Sequence, residues 1–177
     1  MLDISGGGLV VRQKIDAENC RYAVFHPTKE YEIMAISTYR GLIYFYDLEG
    51  NLIETIDARR GNPAINSHYC TYNYDGSKLL FINLQYACID MFDRVSGDLL
   101  HSFSHSFDPS QPPVAVNHGS FFHRTIEDGL DEDYVITSGS ENILRRWNVA
   151  DGLPSIEPNT FIEHTQVVNT GVFDAGG

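Results

Sequence analysis

Several side chains in this sequence stand at spacings that would permit chemistry. His68 and Cys70 lie two apart, so on a strand both would face the same way, as two ligands of one zinc ion must. His101 and His105 flank Ser102 and Ser104, and Cys20 precedes His26. No third and fourth ligand follows at metal-site spacing, so these histidines are read as structural or surface residues and no metal is expected. Gly139-Ser140 lacks the G-x-S-x-G turn and following helix of a hydrolase nucleophile, and Gly6-Gly7-Gly8 lacks the strand and helix that flank a phosphate-binding loop. Glu127, Asp128, Asp131, Glu132 and Asp133 crowd one short stretch. A catalytic pair of carboxyls needs one member desolvated. That run is therefore read as a solvated loop, or as an acidic docking surface for a basic partner. No catalytic residue and no cofactor is expected.

The elements that would carry these residues are strands. Runs of Val, Ile, Tyr and Phe recur between Gly, Asp, Asn and Pro, and no long stretch has helical apolar spacing. Expected strands are residues 9–15, 21–25, 32–37, 42–46, 52–56, 68–73, 78–83, 88–92, 99–103, 114–116 with 120–123, 134–138, 143–147, 159–163 and 167–173. The chain has 177 residues, the size of one domain. Its 24 acidic against 12 basic residues give a net charge of -12, which disfavours direct binding to nucleic acid or an anionic membrane. Tyr44, Tyr46, Phe81, Tyr86, Phe92, Phe121 and Phe122 are accordingly read as core packing rather than base-stacking platforms. Three cysteines without C-x-x-C spacing point to a reducing compartment, cytoplasmic or nuclear, and neither an export signal nor an apolar membrane span is recognised.

Repetition organises the whole chain. Leu42 to Ile56, Cys88 to Phe103 and Ile143 to Gly152 each run from an apolar strand to an aromatic, then Asp or Asn, then Gly. The pairs Tyr46-Asp47, Phe92-Asp93 and Trp147-Asn148 are separated by 46 and 55 residues. A second landmark, at Phe25, Tyr72, Phe122 and Phe173, recurs at 47, 50 and 51 residues. Four short strands at such a period resemble the WD40 family of β-propellers, most specifically in Val135 to Gly152. The resemblance implies an all-β, partial propeller of four-stranded antiparallel blades, each with strands a, b, c and d from inside to outside. The family's His, Asp, Ser or Thr, and Trp network reads as incomplete: Glu141 stands for Asp, Asn148 follows Trp147, and His164, in the family's Gly-His place, follows Glu163. Trp147 is expected to be buried in the third blade, with Arg145 on the opposite side.

One propeller segment over 1–177 is expected, with an outer strand at 9–15, blades at about 20–57, 67–105 and 115–164, and an inner strand of a further blade at 167–173. Closed propellers have more blades. The rest of the ring is therefore expected from the same polypeptide or from a partner chain. By the resemblance, the b–c turns and d–a loops form one rim, carrying Tyr39, Arg40, Arg59, Arg60, Gln85, Tyr86, Glu141 and Asn142 as candidate partner-binding residues. The expected function is a non-enzymatic protein–protein interaction scaffold within a larger intracellular complex, its partners other protein subunits. The alternatives are a propeller enzyme with a central-channel active site, or a ubiquitin-ligase substrate receptor carried by Arg94 after Phe92-Asp93.

Overall fold

A computed structural model of the chain describes residues 2–3, 10–11, 19–29, 32–37, 40–63, 65–106, 110, 112–125, 131–141, 143–154, 160–161 and 166. Within them the elements are strands and turns. Leu2–Asp3 (β1) and Val10–Val11 (β2) pair antiparallel. Three four-stranded antiparallel sheets follow, each in chain order. Blade 1 is Cys20–Phe25 (β3), Glu32–Ser37 (β4), Leu42–Asp47 (β5) and Leu52–Asp57 (β6). Blade 2 is Cys70–Tyr72 (β7), Lys78–Asn83 (β8), Cys88–Asp93 (β9) and Leu99–Ser104 (β10). Blade 3 is Val116–Thr125 (β11), Asp131–Gly139 (β12), Leu144–Asn148 (β13) and Thr160–Phe161 (β14). This is an all-β arc of propeller blades. The strand expected at 167–173 lies outside the described residues.

Side-chain alternation builds the arc. In β8, Leu79 and Phe81 join the apolar cluster with Ile43, Phe45 and Ile65, while Leu80 and Ile82 join the cluster with Val116, Val135 and Trp147. Blade 2 is thus covered on both faces, and β8 and β9 read as nearly unbroken apolar runs for that reason. β5 and β13 bury mainly the face turned toward blade 2. Glycine allows the blades to close up at two points. Gly76, at φ +76°, has no room for a Cβ because the His26 ring of blade 1 would be 2.0 Å from it. At Gly119 a Cβ would sit 2.5 Å from Ile89 Cδ1 of blade 2.

Two local expectations are corrected. β11 is one continuous strand where two short ones are expected, and β12 begins at Asp131. Asp131, Glu132 and Asp133 therefore stand in a ladder opposite Thr125, Arg124 and His123 instead of in a solvated loop. Across this ladder His123 Nδ1 and Asp133 Oδ1 are 2.7 Å apart, a cross-strand polar pair that suits the extended hairpin. Trp147 is buried, but Arg145 does not point the other way. Residues two apart on a strand share a face, and Arg145 binds Glu141 on the same side as Trp147.

Candidate partner-binding rim

The turn between β8 and β9, residues Leu84 to Ala87, is held from beneath by a buried carboxylate. Asp90 of β9 has a fully buried side chain and accepts hydrogen bonds from four groups. Asn83 Nδ2 donates to Oδ2 at 2.9 Å, Ser102 Oγ to Oδ1 at 2.7 Å, and Cys88 Sγ to Oδ1 at 3.4 Å. The fourth is Arg60 Nη2, which also reaches Ser102 Oγ. A carboxylate with no water around it needs such a cage, because an unpaired buried charge is strongly unfavourable. Arg60 is placed for the task by its own left-handed backbone, φ +50°. Burial raises the Cys88 thiol far above its ordinary range, and the adjacent Asp90 charge adds to the effect.

The cage sets the geometry of the rim. Arg60 arrives from the loop between blades 1 and 2, and its guanidinium carbon lies 5.3 Å from the Tyr86 ring centroid. Asn83 Oδ1 also accepts from the Tyr86 backbone N–H at 3.3 Å. Tyr86 and Gln85 are left exposed on a turn whose floor is fixed. Of the sequence candidates, Arg60 and Tyr86 are therefore brought together. Arg59 turns back instead, donating from Nε to Asp57 Oδ1 at 2.8 Å, and Arg40 is exposed in the turn before β5. Tyr39 and Asn142 lie outside the described residues.

Glu141 turns inward. Its Oε1 is 2.6 Å from His105 Nδ1, and Arg145 donates to it at 3.0 Å. His105 Nε2 is 2.7 Å from Thr137 Oγ1, to which Trp147 Nε1 donates at 2.8 Å. With the indole donating to the threonine oxygen, the hydroxyl donates to Nε2, while Nδ1 faces the Glu141 carboxylate without hydrogen-bond geometry. The imidazole is neutral in that arrangement. Burial pushes it down to about 4, against the opposing pull of Glu141. Trp147, Thr137 and His105 thus form a hydrogen-bonded chain in blade 3, with Glu141 beside the imidazole, and His164 lies outside the described residues.

The other chemical candidates separate. His101 packs beside Phe103, and His68 is exposed while Cys70 is buried, so neither pair forms a ligand set. Arg94, the residue of the ubiquitin-ligase alternative, is buried. Its Nη1 donates to Glu54 Oε2 at 2.7 Å, and its guanidinium lies 3.6 Å over the Phe45 ring, clasping blade 2 to blade 1. On the axis side, a cavity of about 290 Å³ is lined by Val24, Phe25, Thr71, Tyr72, Phe121 and His123, among others. His123 is oriented there by Asp133, but the Tyr74 ring stacks on it at 3.5 Å.

Sequence reasoning missed Asp90, Asn83, Ser102 and the His105 network. The only available signal for Asp90 was a charged residue in an otherwise apolar strand.

Neither a protein-family model nor a curated protein matches the chain. Solved structures do. The structure of U3-55K superposes with a TM-score of 0.61 at 17% identity, covering 84% of this chain and 41% of that one. The WD40 repeats of RRP9 give a TM-score of 0.61 at 16% identity, covering 84% and 40%. The chain thus spans about two fifths of the length of these structures. As 447 solved chains resemble it, the likeness speaks to architecture rather than to a particular activity. Repeat period, sheet topology and superposition agree that the fold is that of a WD40-type β-propeller.

Proposed function

We propose that this chain is a protein–protein interaction scaffold, non-enzymatic, and part of a propeller that serves as a subunit of a larger assembly. The observation that carries the reading is the rim of blade 2, where exposed Tyr86 and Gln85 and half-exposed Arg60 stand over a caged, buried Asp90. Tyr and Arg on a rigid, preorganised turn are the residue types that anchor interfaces. Arg40 and Arg59 extend the same rim across blade 1. The buried polar groups support this reading as well, since Asp90, His105 and Arg94 are each engaged in ties between strands or blades. A channel-side enzyme would draw on His123, whose face Tyr74 covers.

Three blades form an arc, and rings of this fold have more. The remaining blades come from the same polypeptide or a partner chain, and the protein works in the cytoplasm or nucleus. Its three free cysteines, two of them buried, suit a reducing compartment. The test is site-specific photocrosslinking in cells from Arg40, Gln85 and Tyr86, each replaced in turn by a benzophenone amino acid. A discrete protein adduct at Tyr86 or Gln85, lost when Arg60→Ala loosens the turn, supports the scaffold reading. No adduct from any of the three positions overturns it.

A further inference from the structure

The blades repeat a surface feature that their own packing does not use. Where β6 pairs with β5, Phe45 faces Glu54 and Tyr46 faces Leu52, leaving Ile53 as an extra residue. β10 repeats the shift against β9: Phe92 faces Leu99, Met91 faces His101, and Leu100 is extra. A bulge of this kind re-aims side chains that regular alternation would send to opposite faces. Leu52 and Ile53 are 54% and 49% exposed, and Leu99 and Leu100 are 41% and 39% exposed. In blade 3 the residue bridged to Trp147 is Pro154, and Leu153 before it is 61% exposed. The bulged register position on the outer edge of blades 1 and 2 therefore shows aliphatic surface to solvent, and in blade 3 the residue one place before the equivalent position, Leu153, does so. Edge strands are ordinarily guarded by bulges together with charges, whereas repeated exposed aliphatics mark an interface.

The charge around these positions names the partner. Residues 47–54, 93–100 and 148–154 contain Asp47, Glu49, Glu54, Asp93, Asp98 and Asp151, and Arg94 is their one basic residue. Arg94 is buried between Glu54 and Phe45. Asp47 accepts hydrogen bonds from the Asn51 side chain and backbone, and Asp93 from the backbone N–H groups of Ser96 and Val95. These bonds hold both carboxyls below their usual range and keep them charged.

We propose that this outer belt docks a basic amphipathic helix of a partner protein, its aliphatic side chains on the bulged pairs and its lysines or arginines on the acids of the adjoining turns. The inference rests on the scaffold reading and assigns it a second surface, remote in the strand ladder from the Tyr86 turn. A helix suits the belt better than an added strand, because the bulges interrupt the edge ladder a strand would extend.

The probe is a fluorescein-labelled peptide of about 18 residues with leucine at i, i+3, i+4 and i+7 and lysine at the flanking positions. Its anisotropy is followed on titration with the full 177-residue chain. The expected result is saturable binding, weakened at least about tenfold by Leu99→Ser/Leu100→Ser, by Glu49→Lys/Asp98→Lys, and by exchanging the peptide's lysines for glutamates. These substitutions are at exposed positions, and an unchanged thermal midpoint verifies the fold. Equal affinity for the Leu99→Ser/Leu100→Ser variant, equal affinity for the glutamate peptide, or no binding overturns the belt. Weakening by Tyr86→Ala instead moves the site to the rim, which overturns the belt and leaves the scaffold reading standing.

Discussion

Blades 2 and 3 solve one structural problem with opposite chemistry. Aligned by ladder register, the positions of His105, Thr137 and Trp147 in blade 3 are those of Ala58, Phe81 and Phe92 at blade 2. All six are buried. Blade 3 joins its loop, strand b and strand c by a chain of hydrogen bonds, and blade 2 fills the same space with apolar volume. One position further, the polarity of an ion pair is reversed as well. Strand c of blade 3 carries Arg145 toward a carboxylate in the b–c turn, whereas strand c of blade 2 carries Asp90 toward an arginine from the d–a loop. The fold thus requires that these positions be filled and satisfied, and leaves open by which means. An apolar filling tolerates pH but not lost volume, while a hydrogen-bonded filling is sensitive to both.

The largest test of this contrast is Trp147→Ala. It removes a buried indole and the N–H donor to Thr137 Oγ1, and it is expected to lower stability by about 3 to 5 kcal/mol in denaturant unfolding. An unchanged midpoint would break the equivalence of Trp147 with Phe92.

Acid comes next. The His105 imidazole is depressed in the folded protein to about 4, so between that value and the ordinary histidine range the unfolded chain binds a proton that the folded chain does not. Stability therefore falls as pH drops from about 6.5 to about 4, by up to about 3 kcal/mol from this residue. The lowered carboxyls of Asp57, Asp75 and Asp93 act below that window, where their protonation removes stability. Urea midpoints across the range, compared between the wild type and His105→Gln, check the assignment: the variant should show a flatter slope above pH 4.

Thr137→Val is smaller. It removes the oxygen that Trp147 Nε1 and His105 Nε2 both bond, for about 1 to 3 kcal/mol. In a His105→Ala background the added loss should shrink, and a double-mutant cycle measures the coupling. Independent losses would show that the hydrogen-bonded chain couples these positions no more than the apolar filling of Ala58, Phe81 and Phe92 does.

Smallest of all is Tyr86→Ala, expected to shift the thermal midpoint hardly at all, within about 0.5 kcal/mol, because Tyr86 is exposed. A large loss would mean that the rim is part of the core rather than a presented surface.

What the sequence reveals follows from what repeats. β8 and β9 are found where the apolar runs at Lys78–Asn83 and Cys88–Phe92 predict them, because sheet burial leaves a local pattern. The ties that shape the site are long-range and occur once. Arg60 meets Asp90 thirty residues away, and Arg94 meets Glu54 forty residues away, with no second copy to make a period. His105 escapes notice for another reason. Beside His101 it resembles half of a ligand pair, and its true partners Thr137, Glu141 and Trp147 lie in the next blade. The bulges at Ile53 and Leu100 leave only two adjacent aliphatics as a trace, which a reading by alternation absorbs as ordinary strand.

The double-sided burial of β8 and β9 bears on how the arc opens. A stack of units in which each touches only its neighbours behaves as a linear chain, and among the described residues the interior unit has two interfaces while blades 1 and 3 each share one with it. Fluctuations that detach blade 1 or blade 3 break one interface each, but exposing the amides of β8 and β9 requires both to be lost. Hydrogen exchange at Phe81, Ile82, Ile89 and Met91 therefore proceeds only with opening of the whole arc. The Tyr86 turn, anchored between these two strands, inherits the slow clock of that interior blade.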